Sequence, residues 1–176
     1  MNFLVFSDSH GKTAAMASLI RQHIASIDAV IHLGDGAADV LYLRSIFPSL
    51  NIYAVLGNCD PFSYTEYEIP PYHMLNVGDK KIFCCHGNRL GVSEGISGLI
   101  AEAVHRDADI VLFGHTHAVF EKYFPVGDNS VSSDKPRWVF NPGSISKPRD
   151  GVCSFALLHV SEKGVLFSSA RVGGTL

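Results

Sequence analysis

At 176 residues, with 47% apolar and 18% charged residues, the chain is long enough for a substantial core and is expected to form one domain over 1–176. A formal charge of −3 gives no basis for a general nucleic-acid or anionic-membrane surface, and no apolar stretch approaches the roughly 20 residues that span a bilayer. Of the four cysteines, Cys84 and Cys85 are adjacent in an apolar run, which suits buried thiols rather than disulfides or a Cys-x-x-Cys zinc site; with no signal-like leader, a cytoplasmic protein is expected.

Phe3 to Phe6 run apolar without a break, as in a strand buried on both faces of a parallel sheet, and stop at Ser7-Asp8-Ser9-His10-Gly11. In extended backbone Asp8 and His10 point to the same side and converge beyond the strand. A carboxylate and an imidazole so placed suit a divalent metal, although Asp8 or Ser9 could equally cap the helix that follows. Met16, Leu19, Ile20, Ile24 and Ile27 have amphipathic helical spacing, with His23 on the partly buried stripe. Ala29 to Ile31 then lead into His32-Leu33-Gly34-Asp35-Gly36, a strand–helix–strand order that predicts a right-handed βαβ unit. A short helix over Ala38 to Ile46 precedes Pro48, and a third strand, Ile52 to Leu56, ends in Gly57-Asn58-Cys59-Asp60-Pro61.

Between Phe62 and Asp79 there is no helical period; Glu66 to Ile69 alternate loosely, and Pro70-Pro71 would interrupt any ladder. Tyr72 to Val77 and Lys81 to Cys85 flank Gly78-Asp79 as a tight hairpin whose second arm ends at His86-Gly87-Asn88. Ile96, Leu99, Ile100, Ala103 and Val104 mark a third helix, with His105 a surface residue at its C-terminus. Ile110 to Phe113 form another buried strand, ending at Gly114-His115-Thr116-His117. The remainder reads as β: Val119 to Phe124, Trp138 to Asn141, Ser154 to Val160 and Val165 to Ser169. Gly127 to Pro136 read as a mobile loop, and Asn141-Pro142-Gly143-Ser144 as a turn. Lys147 and Arg149 read as solvated charges of a further turn. Two packed sheets with helices outside are predicted, a four-layer α/β arrangement.

Five buried strands thus end in Asp8/His10, Asp35, Asn58, His86 and His115/His117, each about 23 to 29 residues after the last. In open α/β sheets functional sites collect outside the carboxyl ends of the strands. All seven side chains are oxygen or imidazole donors, a set suited to Mn²⁺, Fe²⁺, Zn²⁺ or Ni²⁺ rather than Ca²⁺ or an iron–sulfur cluster. Seven donors exceed what one ion takes from protein. Two ions sharing a carboxylate, roughly 3.5–4 Å apart, fit the count better, with Asp35 as the natural bridge.

Asp8-Ser9-His10, Gly34-Asp35, Gly57-Asn58-Cys59-Asp60, His86-Gly87, Gly114-His115-Thr116-His117 and Asn141-Pro142-Gly143-Ser144 together resemble the calcineurin-like metallophosphoesterases, in particular the small YfcE-type phosphodiesterases. The resemblance covers nearly the whole chain. It implies a four-layer αββα sandwich, two divalent metals with Mn²⁺ foremost, and hydrolysis of a small phosphoester by a metal-bridging hydroxide. It implies Asp8, His10 and His117 on one metal, Asn58, His86 and His115 on the other, and Asp35 between them. Catalysis would then run through Asp35, Asn58 and His86. Many relatives carry histidine where this chain has Cys59, and a thiol is a poorer hydrogen-bonding partner. A direct role for Cys59 is therefore left open, and His32 is read as a supporting or core residue. The rivals are a phosphomonoesterase and a protein-binding scaffold such as the retromer subunit of this fold; homo-oligomer formation is left open.

Overall fold

The computed structural model describes residues 1–128 and 135–173, so residues 129–134 of the expected loop lie outside the described residues. Asn2–Phe6 (β1), Ala29–His32 (β2) and Asn51–Ala54 (β3) are parallel strands joined through the helices Thr13–His23 (α1) and Ala37–Ile46 (α2). Tyr72–Val77 (β4) and Lys80–Cys85 (β5) then form the predicted hairpin, with Tyr72 opposite Cys85. The helix Ser97–His105 (α3) leads to Ile110–Leu112 (β6), followed by Val119–Phe124 (β7), Arg137–Pro142 (β8), Ser154–Ser161 (β9) and Gly164–Arg171 (β10).

These strands form two five-stranded sheets, ordered β10-β9-β1-β2-β3 and β4-β5-β6-β8-β7. Each sheet carries three parallel strands, β1-β2-β3 in one and β5-β6-β8 in the other; the remaining pairings are antiparallel. The C-terminal strands return to the first sheet, where Leu157 of β9 pairs with Leu4 of β1.

Strand alternation turns the unbroken apolar runs into three interfaces. Leu4 and Phe6 face Met16 and Ile20 of α1 and Val40 and Leu43 of α2. Phe3 and Val5, the alternate pair, join Ile31, Ile82, Ile110 and Phe140 between the sheets. Along β5, Ile82 and Cys84 take the inter-sheet side, whereas Phe83 and Cys85 pack with Leu99, Ile100 and Ala103 of α3. The layers are therefore helix, sheet, sheet, helix, as predicted. Cys84 and Cys85 are free buried thiols; burial pushes Cys84 up to about 12 and Cys85 well above its ordinary value, which makes both inert packing groups.

One local expectation changes. Ile24 lies just past the end of α1 and is exposed, while His23 is half-buried with its ring against Phe155. Within the stretch that shows no helical period, Phe62–Tyr67 is a 3₁₀ helix, closed by Glu68 in left-handed backbone. Pro70 and Pro71 follow after Ile69 and have no N–H to offer a ladder. Among the described residues, no helix is long and apolar enough to cross a membrane.

Phe140 of β8 stacks on Phe167 of β10 with ring centroids 4.4 Å apart and planes within 1°. This contact joins the two sheets directly. Phe140→Ala should leave a cavity there and cost about 3–5 kcal/mol. Urea unfolding should show a lower midpoint at unchanged slope.

Candidate metal centre

At the carboxyl ends of the parallel strands the backbone changes hand. Among the described non-glycine residues, positive φ occurs at Asp8 (54°), His10 (41°), Asp35 (57°), His115 (67°) and His117 (55°), and elsewhere only at Glu68 and Asp107. Left-handed backbone is disfavoured for residues with a Cβ, less so for Asp and His, and such strain concentrates at functional sites. Asp8 and His10 thus do not converge through extended alternation, as the sequence had led us to expect. Each sits in a kink that bends the chain back over the strand end. Hydrogen bonds continue past the strands to hold these kinks: Asp8 N–H donates to Gly34 O, His10 N–H to Asp35 O and Gly114 N–H to His86 O, all at 3.0 Å.

The Asp8 carboxylate has no exposed surface. Its Oδ2 accepts from Ser7 Oγ at 2.5 Å and from the His115 N–H at 3.1 Å. Its Oδ1 has no hydrogen-bond partner, although His117 Nε2 lies 3.1 Å away. His10 Nε2 is likewise buried without a partner. Asp35 divides its oxygens in the same manner. Oδ1 accepts the Cys59 N–H at 2.8 Å, while Oδ2 lies 3.8 Å from His10 Nε2 and 3.5 Å from His86 Nε2. Gly57 is needed beside it, because a Cβ there would collide with Asp35 Oδ1.

Two imidazoles are oriented from behind. His86 Nδ1 lies 2.7 Å from Leu33 O and His117 Nδ1 2.6 Å from Lys147 O. A carbonyl only accepts, so each Nδ1 carries a proton, and in the neutral ring each Nε2 keeps its lone pair, the arrangement found behind metal-ligating histidines. Burial works to raise the Asp35 carboxyl, but His86 and the Cys59 N–H hold it well below the usual carboxylate range. Burial opposes protonation of His86, yet the carboxylates of Asp35 and Asp8 raise its pKa. His115 is lowered by burial and by His86, against whose ring it packs edge-on at 5.1 Å.

Asp8, His10, Asp35 and His117 present donor atoms that all lie within 4.8 Å of one another. With buried atoms left unpartnered on Asp8 and His10, this set fits a divalent cation, since such atoms are costly to leave unsatisfied. His86 Nε2 adds Asn58 Oδ1 at 3.2 Å, and Asn58 itself is exposed at the rim. The structure thus clusters Asp8, His10, Asp35 and His117, places His86 Nε2 3.9 Å from Asp8 and 3.5 Å from Asp35, sets Asn58 against His86, and packs His115 beside it. Cys59 is exposed next to Asn58; its surroundings and the carboxylates of Asp35 and Asp60 push its thiol up to about 11.

The supporting residues were less visible in the sequence. Asp60 accepts four backbone N–H groups, from Asp35 at 2.8 Å, Gly57 at 2.9 Å, Gly36 at 3.0 Å and Ala37 at 2.9 Å. It thereby fixes the Asp35 loop and closes the N-terminus of α2. Asp39 binds the other loop, accepting from Ser9 Oγ at 2.6 Å, Gly11 N–H at 2.9 Å and the Thr13 hydroxyl. His32, fully buried and lowered chiefly by burial, accepts the Gly34 N–H on Nδ1 and faces Ser9 Oγ through Nε2 at 3.0 Å. Asp60→Ala should strand these N–H groups, with a loss of about 1–3 kcal/mol in stability and a 10–100-fold loss in metal affinity. Chemical denaturation and metal titration of the stripped protein would check both.

Comparison with known proteins agrees with this geometry. Residues 1–163 match the calcineurin-like phosphoesterase superfamily domain. The probable metallophosphoesterase YsnB of Bacillus subtilis is 33% identical over 150 residues, which is 85% of this chain and 78% of YsnB. Two solved structures share the fold. An archaeal phosphodiesterase superposes with a TM-score of 0.68 at 24% identity, covering 97% of this chain and 99% of that one. Zinc-complexed Vps29 of Entamoeba histolytica superposes at 0.67 and 21% identity, covering 98% and 99%. With its sheets, strand-end donors and sequence all in agreement, the chain belongs to the calcineurin-like phosphoesterase superfamily.

Proposed function

We propose that the chain is a phosphodiesterase with a dinuclear centre, in which Asp8, His10 and His117 hold one divalent ion, Asn58, His86 and His115 hold a second, and Asp35 is shared. The observation that carries this reading is the pair of buried, unpartnered atoms, Asp8 Oδ1 and His10 Nε2, aimed into a cluster with Asp35 and His117. Oxygen and imidazole donors favour Mn²⁺, with Zn²⁺, Fe²⁺ and Ni²⁺ as alternatives. Divalent ions in such a centre supply Lewis acidity, activating water and offsetting charge on the phosphoryl oxygens.

The chain's own residues do the orienting. Leu33 O and Lys147 O hold the protons of His86 and His117 on Nδ1, and the Cys59 N–H fixes one oxygen of Asp35 while the other faces inward. Burial and the carboxylates of Asp35 and Asp60 raise the Cys59 thiol in the metal-free chain, which argues against a thiolate nucleophile there. The thiol is also a weak acid for an alkoxide leaving group, which favours diesters over alkyl monoesters. The substrate is a small cytoplasmic phosphoester. The likeness to Vps29, by name a vacuolar protein sorting factor, favours a second reading as a protein-binding scaffold, since fold alone does not specify catalysis. Metal binding alone does not separate the two readings, because Vps29 is itself found complexed with zinc; turnover of a phosphoester does.

Metal-loaded protein should hydrolyse bis(p-nitrophenyl) phosphate, fastest with Mn²⁺, and lose that activity in EDTA. His10→Ala, Asn58→Ala and His86→Ala should each reduce turnover at least about a hundredfold, near 2.7 kcal/mol in the barrier. Elemental analysis should find up to two ions per chain and incomplete occupancy in Asp35→Ala. Full turnover after verified metal removal would exclude this function.

Cys59→Ser should hydrolyse nitrophenyl esters within about tenfold of the parent, roughly 1.4 kcal/mol in the barrier. With metals retained, a thousandfold loss would place the thiol among the catalytic groups. Cys59→His should speed alkyl esters more than nitrophenyl esters, because only the alkoxide needs a proton to depart.

A further inference from the structure

His10 differs from its neighbours in what holds it. His86 and His117 each have a backbone carbonyl against Nδ1. Among the described residues His10 has no carbonyl behind its ring, and its Nε2 is buried without a partner. What aims this imidazole is therefore the backbone beneath it. The Lys12 N–H donates to Ser9 O at 2.9 Å, closing a turn in which His10 (φ 41°) and Gly11 (φ 91°) are both left-handed. These are the signs of a type I′ turn, whose central positions usually take Gly, Asn or Asp. A histidine there persists only where the surroundings hold the turn in place.

One carboxylate spans that turn. Asp39 Oδ2 accepts the Ser9 hydroxyl at 2.6 Å and the Gly11 N–H at 2.9 Å, one on each side of His10 in the chain. Its Oδ1 accepts the Thr13 hydroxyl. His32 Nδ1 accepts the Gly34 N–H, so in the neutral ring Nε2 carries the proton and donates to Ser9 Oγ at 3.0 Å. The Ser9 hydroxyl thus receives from His32 and gives to Asp39. A Cβ on Gly36 would fall 2.0 Å from Ser9 Oγ, so the loop after β2 leaves that hydroxyl no room to turn away. Asp39 stands in the first turn of α2, where the helix end favours negative charge. We infer that Asp39 is the positioning residue of His10: through Ser9 and Gly11 it fixes the turn that aims this imidazole at a metal, in place of the ring hydrogen bond that His86 and His117 have. The role is one of geometry. An asparagine could turn its amide oxygen to Ser9 and Gly11 and its NH₂ to the Thr13 oxygen, which can also accept. The inference rests on His10 being a metal ligand, as proposed above.

The test is a double-mutant cycle read by Zn²⁺ affinity, with metal-stripped protein titrated against a competing chelator and the site followed that His10→Ala weakens. Asp39→Ala should weaken Zn²⁺ about tenfold or more in the parent. In the His10→Ala background the same change should cost less than about twofold, because its route to the metal is gone. Asp39→Asn should stay within about threefold of the parent, since it keeps the bonds to Ser9 and Gly11. Ser9→Ala removes one arm of the clamp, and its own cycle with His10→Ala decides the matter if Asp39→Ala does not fold. Equal penalties in the two backgrounds, or a loss in Asp39→Asn as large as in Asp39→Ala, overturn the assignment. Unchanged Zn²⁺ affinity in His10→Ala alone removes the ligand, and the inference with it. If the penalties follow His10 as expected but no phosphoester is hydrolysed, the diesterase reading fails and the positioning role stands.

Discussion

A carboxylate with no exposed surface is the constraint around which the centre of this protein is arranged. Removing an ion from water costs several kcal/mol even after relaxation, unless partners replace the solvent. Asp8 recruits those partners from three directions. Its N–H reaches the loop after β2, its Oδ2 draws in Ser7 and the backbone of His115, and its carbonyl takes two serines from the turn after β8. One buried residue thus holds loops from both sheets in place. The single atom left over, Oδ1, faces the imidazoles.

The neighbouring carboxylates separate by what they meet. Asp39 and Asp60 spend both oxygens on backbone N–H and hydroxyl groups, so their charge goes into shaping loops. Asp8 and Asp35 spend one oxygen each on the protein and turn the other inward. The distinction is between charge that builds the cradle and charge that remains for a cation. It does not follow from residue type, since all four are aspartates at or near the same loops.

Much of the fold was legible because the parallel strands are short apolar runs that end abruptly in polar residues, and because α1 and α3 keep a helical period. The candidate donors were legible for the same reason: each stands where such a run stops. Other features were not. The 3₁₀ turn at Phe62–Tyr67 has too few residues to show a period. The return of β9 and β10 to the first sheet depends on which exposed edge they meet, which local pattern does not encode. The left-handed kinks at Asp8 and His10 were hidden because neither is glycine, the residue that usually marks such backbone. Asp60 stood in the Gly57-to-Asp60 block without a role of its own and Asp39 in no motif, and only the tertiary fold shows which N–H groups they collect.

The two sheets reach their shared end through different loops, and the inward-facing donors are divided between them. Asp8, His10, Asp35 and Asn58 follow strands of one sheet, while His86, His115 and His117 follow strands of the other. An ion held by both groups would act as a rivet across the sandwich, fastening layers that elsewhere touch through side chains such as Phe140 and Phe167. Metal loading would then be a mechanical property of the molecule as well as a chemical one. Free-ion concentration would set how firmly this end stays shut, in the way any ligand confined to the folded state adds to its stability. A melting temperature measured for such a protein would have meaning only alongside the metal content of its buffer.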